Sequence, residues 1–373
     1  MMLVACAFSV PCQAQETVYE GDPTGVLLLN DSTVAVAEED RVIIIAPAGR
    51  WSLEGPFTKV TRLTRSPSSD LVVWDDSLYA AFELSGSYGR GAKWGVVRFS
   101  QPRGIGGGEV SFLGLLNRHV GLFEEVDIGN IFSLSVGPSR NPRRYVAIGT
   151  DGTRNVLWQA LGKEQAILST AGGMSSAPII FGYGVIASNV GDGRFIVGQT
   201  ELTEAVVVDA RGRRLATVPM PSVGPAVTED QIARERARLI ATLDVGPLEQ
   251  QLRMGMSEEQ ARQVAAAMTD GSTQALRITT ANSIPPRISD LRVDLDQRVW
   301  LRRFVPPDAT TATWDVHALG GDVGHTVELP AHWVLFDAVA DLVLVGVRDG
   351  TGNVRRVVLG PAHRMTRDLP SCP

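Results

Sequence analysis

A seven-residue pattern recurs along this chain: three apolar residues that end a strand, three turn residues, then glycine. It occurs as "IIIAPAG" (Ile43 to Gly49), "AAFELSG" (Ala80 to Gly86), "VAIGTDG" (Val146 to Gly152), "VVVDARG" (Val206 to Gly212) and "WDVHALG" (Trp314 to Gly320). Each glycine stands where a hairpin needs positive φ, which only glycine adopts without steric cost. After Gly49, Gly212 and Gly320 the chain resumes as another short strand ending in proline. "NVRRVVLGPAHR", Asn353 to Arg364, reads as a closing copy with its glycine displaced to Gly360.

Six hairpin copies in 373 residues leave few folds open. A four-stranded sheet cannot bury both faces alone; sheets set around an axis bury them against one another and expose only short edges. The expected fold class is all-β, a six-bladed β-propeller over residues 17–364. "DLRVDLDQRVWLRRF" (Asp290 to Phe304) then forms the inner half of the fifth blade, and "TWDVHALGGDVGHTVELP" its outer half.

The spacing is uneven. Gly86 to Gly152 must hold a longer blade with the glycine-rich loop "QPRGIGGGE", and Gly212 to Gly320 is too long for one blade. In that gap "TEDQIARERARLIATL" opens with Thr228 and Gln231 in capping-box spacing, and Ile232, Leu239, Ile240 and Leu243 share one helical face. "SEEQARQVAAAM" repeats the device with Ser257 and Gln260, and "DGSTQ" is expected to stop the second helix. A small helical insertion over residues 225–283 therefore separates blades four and five.

With 44% hydrophobic and 20% charged residues the composition is that of an ordinary globular chain. The net charge is −6 and no block of Lys or Arg exists, so non-specific phosphate-backbone binding to nucleic acid is disfavoured. No run reaches the ~20 apolar residues of a membrane-spanning helix. "MMLVACAFSVPCQAQ" reads as a shortened signal peptide, residues 1–14, with "CQA" as a cleavage site ending at Ala14; lipidation at Cys6 is the minor alternative. Cleavage would leave Cys372 as the only cysteine, which excludes an intramolecular disulfide and a cysteine-based metal site. The expected location is periplasmic or secreted, and residues 365–373 form a C-terminal tail.

The run "DLxxDxxxRVWLRR…TWDVHxxxGxxxxTVELP…LVLVGVRDxxGNVRRVVL", Asp290 to Leu359, resembles the last two blades of secreted bacterial six-bladed β-propellers of the NHL-like type. "DSTVAVAEEDRVIIIAPAGRW" resembles their first blade. The resemblance implies the fold but no one function, because propellers host ligand binding, protein binding and several hydrolytic chemistries on one frame.

Motifs for chemistry are sparse. His119, His317, His325, His332 and His363 form no HExxH or HxH pattern, and His317 is expected to be an exposed turn residue. "NVGDGRF", "GTDGTRN" and "VRDGTGN" read as Asp-Gly hairpins without calcium-loop spacing. No G-x-S-x-G elbow is present, and "RGIGGGE" lacks the GK[ST] of a phosphate loop. Six-bladed lactonase-type hydrolases hold a divalent metal with Glu, Asn and Asp from different blades; candidates by type here are Asn30, Asp31, Asn189 and Asp290, matched to no family motif. Arg302–Arg303 and Arg355–Arg356 are expected to face solvent or make inter-blade ion pairs. Trp300, Trp314 and Trp333 are expected to pack between sheets, with an aromatic ligand platform as the other reading.

No metal and no cofactor are expected. The function expected is a non-catalytic, monomeric scaffold binding a protein, peptide or glycan, with the insertion as a lid. The alternative is a metal-dependent hydrolase of lactones or esters. The residues singled out as ligand-binding are Asp290 and Arg292, provided that their strand lines the channel.

Overall fold

The computed structural model describes residues 16–85, 88, 93–100, 109–126, 136–170, 173–243, 255–321, 323–349 and 352–365. The expected signal segment, Cys372, Gly86 with its expected turn, the residues from 366 on and all but the last residue of "QPRGIGGGE" lie outside them.

The first strand, β1 (Glu16–Glu20), belongs to the last sheet. Sheet I holds β2 (Gly25–Leu28), β3 (Val34–Ala37), β4 (Val42–Ala46) and β5 (Gly49–Leu53). Sheet II holds β6 (Val60–Ser66), β7 (Ser69–Asp75), β8 (Ala80–Ser85) and β9 (Lys93–Arg98). Sheet III has five strands: β10 (Val110–Asn117), β11 (Val120–Val126), β12 (Gly137–Gly149), β13 (Arg154–Thr170) and β14 (Gly173–Pro178). Sheet IV holds β15 (Val185–Asn189), β16 (Arg194–Gln199), β17 (Glu204–Asp209) and β18 (Arg214–Pro219). Sheet V holds β19 (Ile288–Val293), β20 (Val299–Arg303), β21 (Thr311–His317) and β22 (Val323–Pro330). Sheet VI holds β23 (Trp333–Val339), β24 (Leu342–Arg348), β25 (Val354–Pro361) and finally β1, antiparallel to β25.

Strand composition explains how the sheets stack. The second strand of each is apolar on both faces because both faces are covered, so it reads as a run rather than an alternation. Ala35 and Ala37 of β3 pack against Leu71 and Val73 of sheet II, whereas Val34 and Val36 pack against Leu344 and Val357 of sheet VI. The same division holds onward: Trp74 packs on Phe123, Leu122 on Phe195, Ile196 on Val299, and Trp300 on Val343. Six inter-sheet cores thus connect I to II, III, IV, V, VI and back to I. The first strands touch in the same cyclic order, β2 to β6, β10, β15, β19, β23 and again β2. The described residues therefore form an all-β, propeller-type ring of sheets.

Gly49, Gly152, Gly212 and Gly320 all have positive φ and join the third strand of a sheet to the fourth. At Gly212 the turn is closed by its N–H donating to Asp209 O at 2.9 Å, and a Cβ there would meet Leu157 O at 2.8 Å. The closing copy differs from expectation. Gly360 lies inside β25, and the left-handed glycine is Gly352, between the second and third strands of sheet VI. Sheet VI has no hairpin between its third and fourth strands, because its fourth strand arrives from the other end of the chain.

Between β18 and β19 the described residues form two helices, α1 (Glu229–Ala241) and α2 (Glu258–Ile278), each with its capping box formed. "DGSTQ" does not stop α2, which runs on through Gly271. That glycine faces the third sheet: a Cβ there would meet Ser175 Oγ at 3.2 Å. Beyond it Ala275 and Leu276 bury against Ala177, with Leu239, Ile240 and Leu243 packed around them. The second helix is thus docked beside β13 and β14, the outer extension of sheet III, with the first packed on it.

One buried carboxylate ties sheet connections together. Asp75 accepts hydrogen bonds from the N–H groups of Thr58 and Lys59 before β6, and from Ser77 and Leu78 after β7. Burial alone would raise its pKa, but these bonds and the Ser77 hydroxyl outweigh burial and hold it at about 2. A carboxyl depressed in the folded state stabilises above its unfolded value, and the gain is lost as pH falls through the folded value. The contribution is about 2 kcal/mol, present above about pH 4 and lost towards pH 2. Asp75→Asn is expected to remove it. Urea denaturation from pH 6 down to pH 2 should show a shallower acid decline for the variant; parallel curves would contradict the assignment.

A cationic channel as the candidate functional site

The first strand of every sheet contributes to one axial cavity of about 280 Å³. Its polar wall comes chiefly from Arg62, Thr64 and Arg65 of β6, Asn189 of β15, Arg292 of β19 and Asp337 of β23. Strict alternation would not place Arg62 and Arg65, three residues apart, on one side. Register breaks in β6, between Val60 and Arg62 and again between Thr64 and Ser66, re-aim the strand so that both reach the cavity. A similar break between Leu335 and Asp337 marks β23.

Among the described residues Asp337 is the only carboxylate in the wall, and it is fully engaged. It pairs with Arg65 Nη2, its Oδ2 accepts from Leu28 N–H at 3.0 Å, and its Oδ1 accepts from Ala338 N–H at 2.9 Å. Burial pushes this carboxyl up, while Arg65 and the Leu28 N–H pull the other way. Arg65 also donates to Leu28 O at 2.6 Å, leaving its buried Nε without a hydrogen-bond partner among the described residues.

Asn189 links three sheets. Its Nδ2 donates to Thr64 Oγ1 at 3.2 Å and Arg65 O at 3.1 Å, and its Oδ1 accepts from Gly191 N–H at 3.2 Å. Glycine at 114 makes room for it, since a Cβ there would lie 2.1 Å from the amide nitrogen.

Arg62 makes no hydrogen bond or ion pair with the described residues. Its side chain reaches solvent yet stands among the six inner strands, so water reaches it within an enclosure. Burial, and then the like charge of Arg292, push its pKa down. The carboxylates that attract it, Glu124 and Asp76, are bonded elsewhere, to Arg143 and Tyr145 and to the Trp74 ring nitrogen. Arg292 has one partner, Asp290, at 3.3 Å. Three arginines and Asp337 stand in the described wall and Asp290 pairs with Arg292 from beside it, which leaves one net positive charge there in a chain whose total is −6.

Of the residues singled out from sequence, Arg292 lines the cavity, while Asp290 stands behind it as its ion-pair partner. Asn189 is in the wall, but Asn30 and Asp31 are not. Asn30 accepts from Ser32, and Asp31 borders a separate cleft of about 450 Å³ with Leu342 and Leu359. Arg62, Arg65 and Asp337 were not anticipated; the only hint was two arginines in an otherwise strand-like "VTRLTRS".

His317 is a correction: it is 1% exposed and ends β21, with the turn beginning only at Ala318. Trp300, Trp314 and Trp333 are buried together in the core between sheets V and VI, which rules out an aromatic platform. Arg303 pairs with Asp315 within sheet V, and Arg355 pairs with Asp22 and Asp349.

Among the described residues no three His, Cys, Asp or Glu side chains cluster, and the channel's single carboxylate is held by a guanidinium.

No family model matches the sequence, and no curated protein matches it. Solved structures with similar folds include a DUF4221-family member from Bacteroides vulgatus, 9% identical over 94% of each chain, with a TM-score of 0.42. The luciferin-regenerating enzyme is 10% identical, covering 92% of this chain and 91% of that one, with a TM-score of 0.36. Drosophila Plexin A in complex with Semaphorin 1b is 10% identical, covering 93% of this chain and 87% of that one, with a TM-score of 0.32. Such neighbours are propeller-type folds. At these scores they bear on no individual residue here.

Proposed function

We propose that this chain is a six-bladed propeller of the exported NHL-like kind, and that it is a non-catalytic binding scaffold whose ligand enters the axial channel. One observation carries the reading: the cavity shared by all six inner strands offers cations, while the only carboxylate among its described lining residues is consumed in holding Arg65. General-base, nucleophilic or metal-assisted hydrolysis would each need a free acceptor there. Peptides and glycans carrying acidic groups suit this wall, nucleic acid is not expected as a partner, and the protein acts as a monomer.

Export is proposed from the first fourteen residues, and the strand boundaries are compatible with it. Cleavage after Ala14 would leave Gln15 directly ahead of β1, so the closing strand stays whole. N-terminal sequencing of protein recovered from periplasm or medium is expected to start at Gln15; recovery only from cytosol with residues 1–14 intact would contradict export.

The functional test pairs calorimetric titration of Ca²⁺, Mn²⁺ and Zn²⁺ with a panel of lactones and aryl esters. No stoichiometric metal binding and no turnover are expected. Turnover abolished by Asn189→Ala would favour the metal-dependent lactone or ester hydrolase instead.

A further inference from the structure

We propose that the channel is an oxyanion site, in which the guanidinium groups of Arg62 and Arg292 together hold a carboxylate or phosphate group of a small organic ligand. This rests on the reading of the channel as the ligand site and adds the ligand's chemistry. Two like charges facing one cavity repel each other, a cost that an anion between them would remove. Among the described residues Arg62 has no hydrogen-bond or ion-pair partner, Arg292 has a single long one, and the buried Nε of Arg65 is unpartnered. Guanidinium forks match planar carboxylates and phosphates, each donating two parallel N–H bonds.

Size narrows the ligand further. A volume of about 280 Å³ is at the lower end of small-molecule pockets, enough for an anionic head with a short body. The Asn189 amide and Thr64 hydroxyl stand in the same wall but already bond to one another, so they supply shape rather than free donors. A positive channel in an acidic protein also draws anions inward and keeps like-charged surfaces apart.

The test uses the full-length mature protein, with citrate and inorganic phosphate as probes at fixed ionic strength, chloride serving as control. Thermal unfolding of wild type is expected to rise saturably with one of the two, and calorimetry should give one site per chain. Arg62→Gln and Arg292→Gln should each weaken that binding by tenfold or more, consistent with losing a charged hydrogen-bond pair worth about 1.5–3 kcal/mol. The unliganded Arg62→Gln variant should also melt about 1–3 °C above wild type, because it removes one of two repelling charges and breaks no ion pair among the described residues. That opposite sign separates a ligand site from a structural role, which would lower both values, and it confirms that this variant folds.

Citrate binding alone points to a carboxylate ligand, and phosphate binding alone to a phosphorylated one; either supports the site. Equal shifts in wild type and both variants, or no shift with either anion, would overturn the oxyanion proposal while leaving the scaffold reading intact. Hydrolytic turnover that depends on the channel would instead overturn the scaffold.

Discussion

Trp300→Ala is expected to lower stability by about 4 kcal/mol, the largest single-side-chain effect anticipated in this molecule. Trp300 is 1% exposed and lies in the core between sheets V and VI, edge-on to Trp314 with ring centroids 6.5 Å apart. Its Nε1 donates to Asp294 Oδ2 at 2.8 Å, and the same carboxylate accepts from Arg298 N–H and Nε, each at 2.7 Å. Truncation would leave a cavity that packed strands cannot collapse to fill, and it would take one of three donors from a buried carboxyl that burial already pushes up. Trp300→Phe separates the two losses: it keeps most of the ring volume and is expected to cost about 1–2 kcal/mol through the missing donor. Guanidinium denaturation with tryptophan fluorescence reads both. A cost below about 1 kcal/mol for the alanine variant would mean that sheets V and VI do not pack as described.

Removing Glu16–Glu20 is expected to cost a similar amount or more, about 5 kcal/mol, and to change the oligomeric state. β1 is the fourth strand of sheet VI; Glu16 and Thr17 lie opposite Leu359 and Val358, and Tyr19 and Glu20 opposite Val357 and Arg356. Tyr19 is 4% exposed, and its hydroxyl donates at 2.8 Å to Glu38, just after β3 of sheet I, so the strand also clasps the neighbouring sheet. The burial of Tyr19 contributes about 2–3 kcal/mol and each ladder bond about 0.5–1.5 kcal/mol. Without β1 the edge of β25 is open for pairing with another chain. Size-exclusion chromatography of the shortened protein should show self-association, and its unfolding midpoint should fall with weaker cooperativity. A monomer of unchanged stability would show that closure lies elsewhere.

The ring was readable because its signals are local. Gly49, Gly152, Gly212 and Gly320 each meet a backbone demand within their own hairpin, and Thr228 and Ser257 begin their helices through bonds to residues three positions on. Errors arose where distant chain decides. Gly360 looked like a sixth hairpin because nothing near it shows that its partner strand is β1. Gly271 looked like a stop because its contact, Ser175, is far away in sequence. His317 looked like a turn residue because the strand extends one residue past the repeat.

The channel was the least legible part. Which strand of a sheet is innermost, and which side chains of that strand face the axis, depend on register breaks that no alternation pattern reports. Arg292 was picked from its place at the start of a sheet, whereas Arg62 and Arg65 needed the two irregularities of β6. The role of Asp337 depends on Leu28 and Arg65, both at the other end of the chain.

The most direct measurement is a crystal structure of the mature protein grown with citrate or phosphate at a concentration that saturates the thermal shift. The account predicts an oxyanion bonded to both Arg62 and Arg292 inside a channel bounded by the first strand of all six sheets. A channel closed by its own side chains, or an anion held only at the outer surface with Arg62 paired to a carboxylate of the protein, would contradict it.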